Sequence, residues 1–187
     1  MEKVIDWKGY FMSLAHLSAM RSKDPNTKVG AVIVDDKNRI ASIGYNGMPT
    51  GCSDYEFPWE REGDFLNTKY AYVVHAELNA ILNSSKSVRD CTIYVSLFPC
   101  NECAKAIIQS GIKKIVYESD KYADSDNTIA SKRMLRAANV QLEQLPYSME
   151  VIVEKISNQI IKESKLDTTN QTSFKIALEI NKIIQPK

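Results

Sequence analysis

The residues best suited to chemistry are His75 and Glu77 and, further along, Cys100 and Cys103 directly after Pro99. Imidazole nitrogen and thiolate sulfur are ligands that zinc takes in tetrahedral sites, and a catalytic ion keeps three protein ligands with the fourth position open to water. His75, Cys100 and Cys103 supply those three. Cysteines at this spacing are neighbours on one helical face, and Pro99 suits a helix start, where a missing amide hydrogen costs little. Exposed amides at such a start, with the charge of the ion, favour the thiolate form. Glu77 follows His75 by two positions, and on a regular helix such neighbours diverge. Both are therefore expected in an entry turn after Val73 and Val74, facing the ion. There Glu77 is a proton carrier and not a ligand. Zinc lowers the pKa of its water to about 7, which makes hydroxide available for hydrolysis at neutral pH.

Each part also has a plainer explanation. The Cys100-x-x-Cys103 pair alone fits a redox couple or half of a four-ligand structural zinc. His75 alone fits ordinary packing. The chain has only 2 histidines, however, and this one stands at the right spacing from both the glutamate and the Pro-Cys pair. A closed structural site would want a fourth ligand, for which Cys52, Cys91 and His16 are the unused candidates.

Positioning such groups requires a scaffold, and hydrophobic periodicity outlines one. Apolar residues at mixed three and four spacing from Val4 to Met20 predict an amphipathic helix, ended by Asp24, Pro25 and Asn26. Runs Val29 to Val34 and Arg39 to Gly44, joined by Asp35, Asp36, Lys37 and Asn38, predict a hairpin. Tyr45 to Lys69 lacks periodicity and holds Gly47, Pro49, Gly51 and Pro58, so it reads as a long ordered loop, of a length that is usually functional or disordered. Then follow a helix from about His75, a strand Thr92 to Leu97, a helix Cys100 to Ser110, a strand Lys113 to Tyr117 and a helix Asn127 to Ala138, with a last strand Gln141 to Leu145. This order predicts a three-layer α/β/α sandwich with a mixed sheet of about five strands. Residues 1–146 are expected to form the catalytic domain, and 147–187 a helical extension with helices over Ser148 to Glu163 and Phe174 to Ile184.

With 24 basic against 23 acidic residues, nothing suggests a surface built for a long polyanion. No apolar run reaches membrane-spanning length, and Met1 to Asp6 intersperses charge where a secretory signal would be apolar. Four cysteines, two of them in the Cys-x-x-Cys pair, point to a metal site and a reducing cytoplasm in preference to a disulfide framework.

The pattern His75-x-Glu77 followed by Pro99-Cys100-x-x-Cys103 is that of zinc deaminases acting on nucleobases. Within that group the chain resembles the deoxycytidylate (dCMP) deaminases of the cytidine deaminase superfamily. The resemblance is carried by Arg21-Ser-Lys-Asp-Pro-Asn-Thr-Lys-Val-Gly30, Gly44-Tyr-Asn-Gly-Met-Pro49, Gly51-Cys-Ser-Asp54, His75-Ala-Glu-Leu-Asn-Ala-Ile81, Phe98-Pro-Cys-Asn-Glu-Cys-Ala-Lys105 and Ser119-Asp-Lys-Tyr122. It implies the cytidine deaminase-like fold, one zinc on His75, Cys100 and Cys103, Glu77 as proton shuttle, and conversion of dCMP to dUMP and ammonia. It further implies substrate contacts from Asn46, Asn79, Arg21, Tyr122 and Ala76. Many members are hexamers activated by dCTP and inhibited by dTTP, and Gly44, Gly47 and Asp54 mark the loop where such a regulatory pocket is expected. Some viral members hold a second zinc, for which Cys52 and His16 look inadequate. Members often have a histidine where this chain has Ala123, which leaves that position without an assigned role.

Two rival functions use the same residues. A nucleic-acid editing deaminase would show a basic stripe with stacking aromatics, and the near-neutral charge argues against it, although Tyr55, Phe57, Trp59 and Phe65 are available for stacking. A non-catalytic nucleotide sensor would retain zinc but has no use for Glu77.

Overall fold

The computed structural model describes residues 4–146. The helices expected in the tail lie outside the described residues.

Helix α1, Trp7–Ala19, starts where the Asp6 carboxylate accepts the Gly9 N–H at 2.7 Å, a side-chain cap that satisfies one of the orphan amides of the first turn. Its inward stripe, Phe11, Met12 and Ala15, is fully buried. Strands β1, Gly30–Val34, and β2, Ile40–Tyr45, form the expected hairpin. Its turn is held by the Asp35 carboxylate, which accepts the N–H groups of Lys37 and Arg39 at 2.9 Å each. β1 is buried throughout, whereas β2 alternates toward the edge of the sheet.

Strands β3, Thr92–Leu97, β4, Lys114–Ser119, and β5, Gln141–Gln144, complete a five-stranded sheet of order β2-β1-β3-β4-β5. β1 is antiparallel to both β2 and β3, while β3, β4 and β5 run parallel. The parallel half is wound through helices α3, Asn101–Ser110, and α4, Asp126–Ala137. Helix α2, Ala76–Leu82, lies on β2 and β1 beside α3. Alternation along β1 divides the core. Ala31 and Ile33 join Ile93, Val95 and Ile115 under α2, α3 and α4, while the α1 side includes Phe11 against the Tyr94 ring at 5.2 Å. The mixed sheet between two helical layers is the sandwich anticipated from the order of elements.

Two glycines set the spacing of those layers. A Cβ on Gly30 would fall 1.8 Å from the Ala15 carbonyl oxygen of α1, and one on Gly44 would fall 2.3 Å from the Ala76 carbonyl oxygen of α2. Neither strand tolerates a side chain there while its helix stays in place. β4 also runs two residues further than its apolar run suggests, because Leu97 pairs with Ser119 and the Phe98 N–H donates to the Ser119 carbonyl at 2.8 Å. Backbone pairing, not side-chain polarity, sets that end.

Candidate active site

The site forms beyond the carboxyl ends of β3 and β4, where open α/β sheets generally bind ligands. β3 leads through Phe98 and Pro99 to Cys100, which is the N-cap of α3 with extended backbone (φ −70°, ψ 175°). Pro99 therefore precedes the cap instead of occupying the first helical turn. The reason is geometric: Cys100 keeps an extended ψ while its carbonyl already accepts the Ala104 N–H at 2.9 Å. His75 plays the same part for α2, as an N-cap with φ −73° and ψ 156°. Ser, Thr, Asp and Asn are the usual N-cap residues because their side chains bond the first amides. His75 and Cys100 make no side-chain cap bond. They turn toward each other instead.

The His75 Nδ1 atom lies 3.4 Å from the sulfurs of both Cys100 and Cys103, and the three donor atoms lie within 4.8 Å of one another. A tetrahedral zinc with ordinary bond lengths places its nitrogen and sulfur ligands about 3.5 Å apart. The nitrogen-sulfur distances match that requirement. Among the described residues this is the group of His, Cys, Asp and Glu side chains arranged to hold a metal ion.

The three donors act strongly on one another's protonation. The Cys100 thiol, hydrogen-bonded first by the Cys103 thiol and then by His75, has its pKa lowered to about 4. Its thiolate in turn raises the His75 pKa to about 9, against the effect of burial. The Cys103 thiol is pushed up, first by donating to Cys100 and then by burial. A metal ion must displace protons from this cluster as it binds, since zinc takes thiolate and neutral imidazole. Glu77, in the first turn of α2, is 4% exposed, and burial raises its pKa above the usual carboxylate range while nearby His75 opposes the shift.

A cavity of about 420 Å³ opens beside the cluster, with His75, Ala76, Glu77 and Cys100 in its lining. A second lining group consists of Asp24, Thr27, Val29, Asn46 and Lys69, which come from three distant segments. Asp24 is 1%, Asn46 5% and Lys69 7% exposed. One Asp24 oxygen accepts the backbone N–H groups of Asn26 and Thr27, at 2.8 and 3.1 Å. The other accepts Lys69 Nζ at 2.5 Å and Asn46 Nδ2 at 3.2 Å. Exposed Arg61, Tyr70 and Tyr122 are also in the lining. Arg61 Nε donates to the Tyr70 hydroxyl at 3.3 Å.

Of the residues singled out in the sequence, His75, Cys100, Cys103 and Glu77 come together, and Asn46, Ala76 and Tyr122 line the cavity with His75, Glu77 and Cys100. Arg21, Asn79, Gly44, Gly47 and Asp54 are not in its lining. Arg21 is exposed after α1. Asn79 donates from Nδ2 to the Tyr45 carbonyl at 2.7 Å, tying α2 to the end of β2. Gly47 exchanges two backbone hydrogen bonds with Val74, at 3.1 and 2.9 Å. Asp54 pairs with Lys23 at 2.5 Å. The sequence reading missed Arg61, Lys69 and the charged role of Asp24, which had counted only as a helix terminator. The available signal was that buried charges occur in opposite pairs, but nothing local says which pair.

Comparison with known proteins follows the same lines as the geometry. A family model described as the cytidine and deoxycytidylate deaminase zinc-binding region matches residues 5–119. The deoxycytidylate deaminase of Homo sapiens is 52% identical over 153 residues, spanning 80% of this chain and 86% of that one. A probable deoxycytidylate deaminase of Drosophila melanogaster is 51% identical over 161 residues, spanning 82% and 79%. The dCMP deaminase of cyanophage S-TIM5, crystallised with dCMP and dUMP, aligns with a TM-score of 0.59 at 27% identity, over 77% of this chain and 100% of that one. On its motif, its fold and its likeness to these relatives, the chain belongs to the cytidine and deoxycytidylate deaminase family.

Proposed function

We propose that this protein is a zinc-dependent deaminase that hydrolyses dCMP to dUMP and ammonia. The observation that carries the reading is the buried Glu77 carboxyl beside the three-donor cluster, on the wall of a cavity of about 420 Å³. His75, Cys100 and Cys103 would hold the ion, and their nitrogen and two sulfurs fit zinc in kind and in spacing. When bound, zinc supplies a Lewis acid that lowers the pKa of water to about 7.

The chain's own residues then do the following. Glu77, whose raised pKa suits it to gain and lose a proton, takes one from water and delivers it to N3 of the cytosine ring. A second transfer through the same carboxyl protonates the departing 4-amino group, so that water and dCMP become dUMP and ammonia. Asn46 faces the nucleotide, Ala76 offers backbone at the start of α2, and Tyr122 and Arg61 offer donors for the phosphate. Among cations, Arg61 suits that role better than Arg21, because it lines the cavity.

The reading extends to one zinc per chain, to a homo-hexamer, and to activation by dCTP and inhibition by dTTP, all supported by the sequence resemblance, and to a cytoplasmic address, supported by the cysteine usage. Among the described residues no helix is long and apolar enough to cross a membrane. The test is to offer the zinc-loaded protein dCMP, dCTP, CMP, cytidine, adenosine and single-stranded DNA and to measure ammonia. Release from the monophosphates is expected, with dCMP preferred. Release from single-stranded DNA alone would replace the reading with nucleic-acid editing, and no release from any would favour a sensor.

A further inference from the structure

We propose that Lys69 is a positioning residue for the sugar of the nucleotide, acting through Asp24 to hold the Asn46 amide so that it meets the ligand only as a hydrogen-bond acceptor. The inference rests on the deaminase reading above.

Asn46 has its amide almost fully spent within the protein. Its Oδ1 accepts the Val29 N–H at 2.8 Å, and its Nδ2 donates to the Thr27 carbonyl at 3.0 Å and to Asp24 at 3.2 Å. Both amide hydrogens are thus engaged, and what remains is one lone pair on Oδ1. Turning the amide over would set its NH2 against the Val29 N–H and its oxygen against the Thr27 carbonyl and the Asp24 carboxylate. The orientation is therefore fixed by the Val29 and Thr27 backbone together with Asp24, whose other oxygen also holds the turn that carries Thr27. Asp24 in turn is a buried carboxylate, and Lys69 Nζ at 2.5 Å is its ion-pair partner. Removing the ammonium leaves an uncompensated buried charge, which must move or admit water, and the Asn46 Nδ2 contact and the turn carrying Thr27 loosen with it.

An acceptor at this place selects a donor on the ligand. dCMP carries two kinds of donor, the 4-amino group and the sugar 3′-hydroxyl. The 4-amino group must lie at the metal cluster and Glu77 to react. The 3′-hydroxyl is therefore the group that Asn46 meets, and the charge pair behind Asn46 sets how strongly the site prefers a sugar that carries it. Lys69 touches no substrate in this account. Its carbonyl also accepts the Val73 N–H at 2.9 Å on the way to His75, so a purely structural role has to be separated by experiment.

The test compares dCMP with 2′,3′-dideoxycytidine monophosphate, using zinc-loaded parent protein, Lys69→Met and Lys69→Arg, each with zinc content verified. The parent is expected to prefer dCMP by about tenfold or more in kcat/KM, the scale of one good hydrogen bond. Lys69→Met is expected to bring that ratio close to one, with the loss falling on dCMP and chiefly on KM. Lys69→Arg, which keeps a cation there, retains the preference. Equal losses on both nucleotides in Lys69→Met, a Lys69→Arg protein indistinguishable from it, or a parent without any 3′-hydroxyl preference would overturn the proposal. A parent inactive on dCMP would instead defeat the deaminase reading itself. A second measurement needs no variant: both Asn46 side-chain amide hydrogens should exchange slowly in the parent, and exchange as fast as that of an exposed asparagine would also overturn it.

Discussion

Cys100 and Cys103 are brought together by a single helix start, whereas Asp24 meets Asn46 and Lys69 across 22 and 45 residues of chain. Both groups line or back one cavity, yet they answer to different parts of the fold. The cysteines need only the end of β3 and the first turn of α3, with His75 delivered by the matching cap of α2. The Asp24 group needs the turn after α1, the end of β2 and the long loop all in register. One group is thus a device of local backbone, the other of tertiary assembly. Damage to the first should fall on the chemical step, and damage to the second on binding.

The largest effect expected on this view comes from Glu77→Gln. The variant should keep one zinc per chain and a near-parental KM while losing about 10² to 10⁴-fold in kcat, the range of general acid–base assistance. Metal analysis and steady-state kinetics check it, and normal turnover would remove Glu77 from its assigned role. A smaller effect should follow Arg61→Ala, which is expected to raise KM for dCMP about tenfold and to leave deoxycytidine little changed, as fits loss of a charge-assisted phosphate contact. Arg21→Ala, measured in the same way, sharpens the contrast, because its exposed place outside the cavity predicts a lesser change. The reverse ranking would return the phosphate to Arg21.

The smallest effect lies far from both groups, on the sheet edge, where Glu143 pairs with Lys114 at 2.7 Å and also with Lys8. Lys114 first, then Lys8, holds the Glu143 carboxyl below the usual carboxylate range. A depressed folded pKa stabilises above the unfolded value, and that contribution is lost as pH falls through the folded value. Because the pair is well solvated, Glu143→Gln should cost less than about 1 kcal/mol at neutral pH. The gap between variant and parent in thermal melts should narrow in acid, and a gap that widened there would contradict the ion-pair assignment.

The same contrast explains what could be read from the chain in advance. Strand β3, helix α3 and the hairpin were legible because their signals are local: a run of β-branched and apolar residues, a Pro-Cys start, and turn-forming Asp35 to Asn38. His75 and Glu77 were legible because both sit in one entry turn. Lys69 was not, since a lysine at the end of an aperiodic loop reads as a solvated charge until its partner is known. Asn79, expected at the substrate, bonds the Tyr45 carbonyl, and Gly44, expected to mark a regulatory loop, admits α2 to the sheet, so each has a structural task that the resemblance did not reveal. A motif records that a residue is constrained, but not whether backbone or ligand constrains it.

Gly44 has one effect that reaches the chemistry from beneath. Helix α2 rests on it with only seven residues of length, and that helix carries the imidazole on its N-cap and the carboxyl in its first turn. A methyl group at position 44 would lift them as one rigid piece away from the two sulfurs. Metal affinity and turnover would then decline in step, so a defect in the floor of the helix would pass, in any screen for activity, as a defect in the ligands themselves.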